Sequence, residues 1–535
     1  MPPLRSAHAQ PQRGFDSTPG SSTRDGRFGR MFRTLPPLDL PEATGEQLLA
    51  DLAAAMATNF EDPLVRELQI VTEGGKDAGD DEENFAIPAG YTYLGQFIDH
   101  DITFDPGSSL TKLNDPDALH NFRTPALDLD SVYGSGPDDE PFRYEGDKFI
   151  LGTPLTGSPD TRAKDLPRAA NHRAIIGDHR NDENVIVAQL HSVMMRFHNA
   201  IIDDLPDTRD RFKIAQQRVQ WHYQWVVIWD FLSRICGKAV VEDILPMEPY
   251  VGAVHGTGHT ALAVNVRRPR LLFYQPQERS FMPVEFSGAA YRFGHSMVRP
   301  FYRLNEHAGP FATFSADPKT SLSGFQPIAG DPRKTWAIDW RLFFPAAVAD
   351  QALVFAQGGR PEMRLQPSYK IDTQIVHPLV QLPPAQFGPG FHSLALRNLV
   401  RGWRLGLPSG QAVARAMGVK PLNGADLVVG PGNTPIENIA GGIFAEDTPL
   451  WLYVLAEAQK NMETSGNGVV RPNAGSATLG PVGARIVAET IIGLIAEDRF
   501  SFLRNEPNWT PHYGRTTGAG RVFEMGDLIA KAIEA

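Results

Sequence analysis

Three long stretches of this chain repeat apolar residues at helical spacing, and nothing else in it constrains the fold as tightly. Val187, Leu190, Met194, Phe197 and Ile201 fall on one helix face; Trp221, Trp225, Ile228, Trp229 and Leu232 fall on another; Ile486, Val487, Ile491, Leu494 and Ile495 fall on a third, within 483–498. Steps of three and four residues line side chains along one side of a 3.6-residue helix, and the alternation of a half-buried strand is scarce and brief here. A mainly α protein with little β structure is expected. Helical signal begins near Glu46, where Leu48, Leu49, Leu52 and Met56 share a face. Residues 1–40 are rich in Pro, Gly, Ser and Arg without apolar period and read as an irregular N-terminal arm outside the core. Residues 41–535 show neither a fixed repeat nor a linker between independent halves, so one large domain is expected there. Within it, residues 73–84 combine Gly with Asp80, Asp81, Glu82 and Glu83 and read as a solvated loop.

Composition excludes several classes of function. Lys+Arg 51 against Asp+Glu 62 gives a net charge of -11 with no basic block, so counterion-release binding to nucleic acid has no footprint. The one cysteine, Cys236, sits in an apolar stretch and reads as a buried inert thiol, so the fold must stand on packing without an internal disulfide. No apolar run is long enough to span a membrane, and Met1 to Arg5 carries no apolar signal core. Neither spanning nor classical secretion is expected, with the cytoplasm as the default, although Asn508 opens a glycosylation sequon that has meaning only in a secretory compartment. Oligomeric state is not written in the sequence.

Three polar clusters interrupt the apolar pattern. Tyr93 to Phe104 sets Gln96, Asp99, His100 and Asp101 in an apolar frame, where ionisable groups are costly to bury unless something pairs them. Arg180, Asp182 and Glu183 stand directly ahead of the apolar helix that begins at Val185, and His295 lies among Tyr291, Arg292, Phe293 and Gly294. Each alone is weak, since a lone histidine is more often a satisfied structural residue and Arg with Glu three residues on is usually a surface pair.

Together with Leu127–Gly134 and Leu394–Pro408, and in this order, the clusters resemble the animal-type haem peroxidases of the peroxidase–cyclooxygenase superfamily, from about Pro88 to Leu503. The resemblance implies a single large helical domain that holds haem b and calcium, reduces hydrogen peroxide, and oxidises halide, thiocyanate or small aromatic donors through a ferryl porphyrin-radical state. By position it implies His100 as distal histidine, Arg180 as distal arginine and His295 as the proximal iron ligand. Asn398, eight residues before Gly406, matches the asparagine that hydrogen-bonds the proximal histidine; Arg292 and Arg401 match arginines aimed at the haem propionates. Gln96 matches a glutamine that meets halide and distal water, with an exposed amide as the alternative. Asp99 and Glu183 stand where mammalian members form ester links to haem. The family's sulfonium link needs a methionine at position 184, where this chain has Asn184, which favours donors other than chloride. Asp101, Thr124, the Ala126 carbonyl, Asp128 and Asp130 match calcium ligands, and hard oxygen donors suit that ion; an Asp-rich turn in water is the alternative.

The residue types suit the implied chemistry. A neutral histidine can take a proton from peroxide near pH 7 and return it to the departing oxygen, and a permanently charged guanidinium favours the negative charge that develops there. Two other readings are open. A fatty-acid dioxygenase of the same superfamily would carry a tyrosine three residues before the proximal histidine, where Arg292 stands with Tyr291 one residue further back. A haem-containing adhesion or matrix protein with vestigial activity would lack the full set of site residues and carry an Arg-Gly-Asp motif, which is absent here.

Overall fold

Helix outweighs strand by 44% to 11% in the computed structural model, the mainly α balance that the apolar stripes predict. The structure describes residues 26–534 apart from 59–81, 105–109, 111, 116–118, 120, 252–262, 277–279, 316, 318, 325–330, 346–364, 384–390, 461, 463–476 and 518–519. Among them, seven α-helices run for eleven residues or more: α1 Gly45–Ala55, α2 Gly90–Ile102, α3 Val185–Asp203, α4 Arg211–Val226, α5 Leu394–Arg404, α6 Leu450–Lys460 and α7 Pro481–Glu497. The described strands pair only two at a time, the longest pairing being Met247–Val251 with Ala263–Arg267. No helix among the described residues is long and apolar enough to cross a membrane.

α3 goes beyond its stripe. The spacing predicts one apolar face, yet residues 185–202 are buried on every side, His191, Arg196, His198 and Asn199 included. A helix enclosed on all sides must pair its polar groups internally. Arg196 meets Asp160 at 2.5 Å and His198 Nδ1 meets the Tyr133 hydroxyl at 3.0 Å. The start of α3 is legible, since Asn184 caps it by accepting the Ile186 N–H at 2.8 Å. The tryptophan stripe differs too: α4 ends at Val226 and the chain continues as a π-helix over Val227–Gly237, so Trp225 and Trp229 do not share one α-helical face.

Two expectations fail. Residues 26–40 pack into the core, with Phe28, Met31, Phe32, Leu38 and Leu40 buried and Phe28–Gly29 paired in parallel with Met282–Pro283; residues 1–25 lie outside the described residues. The segment is held without periodicity, by a buried carboxylate. Glu285 accepts the N–H groups of Met31 and Phe32 at 2.9 and 3.0 Å, and Arg30 donates to the Gly406 and Leu405 carbonyls. Glu83 and Asn84, expected in a solvated loop, are fully buried, because Glu83 pairs with Arg299 at 2.7 Å; residues 73–81 of that loop lie outside the described residues. Cys236 is buried as expected.

The packing of five elements positions the site. α2 lies against α3, while α6 and α7 both back the short 3-10 helix Ala290–His295. α2 can start where it does because Gly90 has no side chain: a Cβ there would stand 2.5 Å from the Phe343 carbonyl oxygen.

Candidate active site

α2 and the 3-10 helix Ala290–His295 each contribute one histidine to the same cavity, of about 490 Å³. Gln96, Asp99 and His100 line it from α2; Arg292 and His295 line it from the 3-10 helix; Glu183 and Asn184 join them from the segment ahead of α3. Leu379, Leu382 and Leu394 complete an apolar wall. Residues distant in the sequence, singled out separately, therefore share one space.

His100 is 5% exposed. Its Nδ1–H donates to Asn181 Oδ1 at 2.8 Å, and its Nε2 stands 3.7 Å from Glu183 Oε1. Gln96 Nε2 donates to that same oxygen at 2.7 Å. Asp99 accepts the Thr103 hydroxyl at 3.0 Å. At the other histidine, Asn398 Nδ2 donates to His295 Nδ1 at 2.8 Å, as Arg292 Nη1 donates to Asn398 Oδ1 at 3.0 Å. A guanidinium can only donate, so Arg292 fixes which end of the amide faces the histidine. Burial, with Arg292 adding to it, pulls the His295 pKa down to about 3, and a neutral imidazole is the form that binds a metal. Arg292, expected at a propionate, also donates from Nε to the Ser287 carbonyl; Arg401 stands half-buried three residues beyond Asn398 on α5.

Arg180 is not among the described residues that line the cavity. Its guanidinium holds Asp178 through Nε and Nη2, and Nη2 also donates to the carbonyls of Thr103 at 2.6 Å and His100 at 3.1 Å. Asp178, which the motifs did not single out, is the hub: Arg123 reaches it at 2.6 Å from the other side. Burial alone would raise the Asp178 pKa, but Arg180 and Arg123 together leave it well below the usual carboxylate range. Asp182 is likewise gripped by Arg168 through both guanidinium nitrogens at 2.8 Å. Asn181 and His191 also went unread, because an asparagine between charged residues and a histidine inside an apolar helix give no signal in a lone sequence. Asp178 did have one, an Asp directly ahead of the short turn His179–Asp182, where it accepts the Arg180 N–H.

Asp101, Asp128 and Asp130 each bring a carboxylate oxygen to within 4.8 Å of the others. Burial and the neighbouring Asp130 push the Asp101 pKa up to about 8, and Asp128 and Asp130 are raised as well, chiefly by burial. Asp130 Oδ1 is buried with no hydrogen-bond partner, and Thr124 Oγ1 sits 3.0 Å from Asp128 Oδ2. Three crowded acids with an orphaned oxygen fit a hard cation better than protons. Ala126 lies buried on the same loop. Gly177 keeps the loop close, since a Cβ on it would stand 2.4 Å from the Ser131 carbonyl oxygen.

Residues 108–325 match the family model for animal haem peroxidase. Over those residues the chain is similar to the animal haem peroxidase family. The match takes in His295 and Arg180 and begins after His100. Chorion peroxidase of Aedes aegypti is 23% identical over 418 residues, covering 75% of this chain and 44% of its own length. Peroxidase A from Dictyostelium discoideum superposes with a TM-score of 0.55 at 16% identity, over 93% of this chain and 94% of that one. A fatty acid alpha-dioxygenase from Arabidopsis thaliana gives 0.52 at 16% identity, over 91% and 75%. The chain thus shares its fold with both solved structures, and it spans under half the length of the curated relatives it matches.

Proposed function

We propose that this protein is a haem-dependent peroxidase that reduces hydrogen peroxide and oxidises small anionic or aromatic donors such as iodide, thiocyanate or phenols. The observation that carries the reading is the shared cavity, into which His100 and His295 open from separate elements, each tied at Nδ1 by an asparagine. Haem b would supply the redox-active metal that no side chain here provides; His295 would hold it at Nε2 once the ring proton stands on Nδ1 and the Asn398 amide turns to accept it, and Arg292 and Arg401 would serve its carboxylates. His100 takes a proton from peroxide at Nε2 and returns it to the departing oxygen. Arg180, tied to the His100 carbonyl, supplies a permanent positive charge beside that histidine. Gln96 orients Glu183, and Asp99 and Glu183 offer carboxylates for ester links to the haem edge. Calcium, held by Asp101, Asp128 and Asp130 with Thr124 and the Ala126 carbonyl, clips the end of α2 to the 124–130 loop. Purified protein loaded with haem should oxidise guaiacol and iodide only when peroxide is present. Haem-loaded protein inert towards both donors would count against the reading.

A fatty-acid dioxygenase is the second reading, favoured by the apolar wall of Leu379, Leu382 and Leu394. Against it, Tyr291 donates its hydroxyl to the Gly95 carbonyl at 3.1 Å and Arg292 occupies the position a tyrosine would need. Oxygen uptake on palmitate without peroxide would favour this alternative.

A further inference from the structure

The hydrogen bond at His100 does not stop at Asn181. Asn181 Nδ2 donates onward to His191 Nδ1 at 3.0 Å, so one buried amide bridges two imidazoles, and both Asn181 and His191 are fully buried. We propose that Asn181 and His191 are positioning residues that fix the tautomer and ring orientation of His100, holding its Nε2 lone pair free in the cavity. The proposal rests on the reading of His100 as the proton acceptor.

The polarity of the relay is that of its amide, which faces Nδ2 to His191 and Oδ1 to His100. His191 is enclosed in α3 with its ring edge against Phe97, one turn before His100 on α2. Burial, reinforced by Arg143 and Arg123, drives its pKa down to about 3, which favours the neutral ring. Its Nδ1 lone pair takes the Asn181 N–H, and its own proton then stands on Nε2, a buried atom with no hydrogen-bond partner. That commits the other end of the amide, Oδ1, to His100, where only a protonated Nδ1 makes a hydrogen bond. The single proton of neutral His100 is thereby placed on Nδ1 and the lone pair on Nε2. The amide is held from outside as well. Its 3-10 turn, His179–Asp182, is pinned by Asp178 at one end and by the Arg168 grip on Asp182 at the other. Turning the amide over would face Nδ2 to His100, favour a proton on Nε2 and block the base.

The test uses the full haem-loaded chain with cyanide as the probe. Hydrogen cyanide must lose its proton as the anion enters, so the H–C bond breaks and the proton passes to His100 Nε2. Association is therefore a binding readout of that lone pair rather than of turnover. Asn181→Leu removes the acceptor; His191→Phe keeps an aromatic ring against Phe97 but frees the amide to turn, and it serves if the first variant does not fold. Each should slow cyanide association about tenfold or more, within the range that a positioned base supplies, with haem occupancy unchanged. Combined with His100→Ala, neither should slow it further, because the relay acts only through that residue. The inference is overturned if both single variants bind cyanide at the wild-type rate, or if the same factor reappears in the His100→Ala background. If His100→Ala itself leaves the rate unchanged, the proton-acceptor reading falls first and this inference with it.

Discussion

The two histidines of the cavity are built alike and wired in opposite senses. Each presents Nδ1 to an asparagine 2.8 Å away, but at His100 the amide oxygen faces the ring and at His295 the amide nitrogen does. The third residue sets the difference: a neutral His191 receives from Asn181, whereas a cationic Arg292 gives to Asn398. One arrangement leaves a histidine that donates at Nδ1 and keeps a lone pair at Nε2, suited to catching protons. The other gives His295 an Nδ1 that accepts, which puts the ring's own proton on Nε2, so a metal held at Nε2 requires the Asn398 amide to turn and take an Nδ1–H at its oxygen. The same pair of residue types thus takes two polarities, each matched by a third residue that no motif reaches.

The largest effect that would break this contrast is at His295. His295→Ala should abolish haem retention, read from the absorbance of the purified protein, while His100→Ala keeps it. Equal retention in the two variants would erase the division of labour.

Next in size is the hub behind the distal side. Asp178→Asn leaves Arg123 and Arg180 without their shared buried counter-charge and should cost about 3–5 kcal/mol in denaturant unfolding near pH 7. The folded pKa of Asp178 is depressed below 3.8, so its contribution is fully present above that value and is lost as pH falls through the lower folded one. The gap between wild type and variant should therefore close on acidification below about pH 4. A gap independent of pH would assign the loss to packing instead of charge.

Calcium should give a smaller effect of opposite sign with pH. In cation-free protein the Asp101 pKa is raised to about 8, so its contribution is greatest below 3.8 and is lost as pH rises through 8. Chelator-treated protein should melt lower at about pH 8.5 than at about pH 5. Added calcium at a hundred times its dissociation constant should restore about 2.7 kcal/mol, with more effect at the higher pH. Metal analysis finding no calcium in active protein would remove the ion from the account.

How much of this was legible follows from what each residue does. The helices of the core were, because burial of α3 and α7 demands apolar residues at every turn. His100, His295 and Asn398 were legible as residues to single out, through the family motifs that carry them, and the structure opens both histidines to one cavity with Asn398 bonded to His295. Asn181 and His191 were not, since any pair able to pass one hydrogen bond at that distance would serve, and no pattern marks it. Residues 26–40 were misjudged for a related reason: Glu285 ties them down through backbone N–H groups, and their buried apolar side chains follow no helical or strand period.

The smallest effect concerns the cavity rim. Asp99 and Glu183 line the space with His100, and after exposure to peroxide they should form ester links to haem, at least in part. Acidic organic solvent should then fail to release all the haem, and peptides containing either residue should gain its mass; complete release would leave the group held by coordination and packing alone.

The central claim is that His295 holds the haem and His100 moves the proton, and one measurement reaches it directly. Haem-loaded wild type and His100→Ala are mixed with peroxide and followed by stopped-flow absorbance. The account predicts the same resting spectrum in both proteins and a peroxide step slower by about 10²-fold or more in the variant. Equal rates in the two proteins would contradict it.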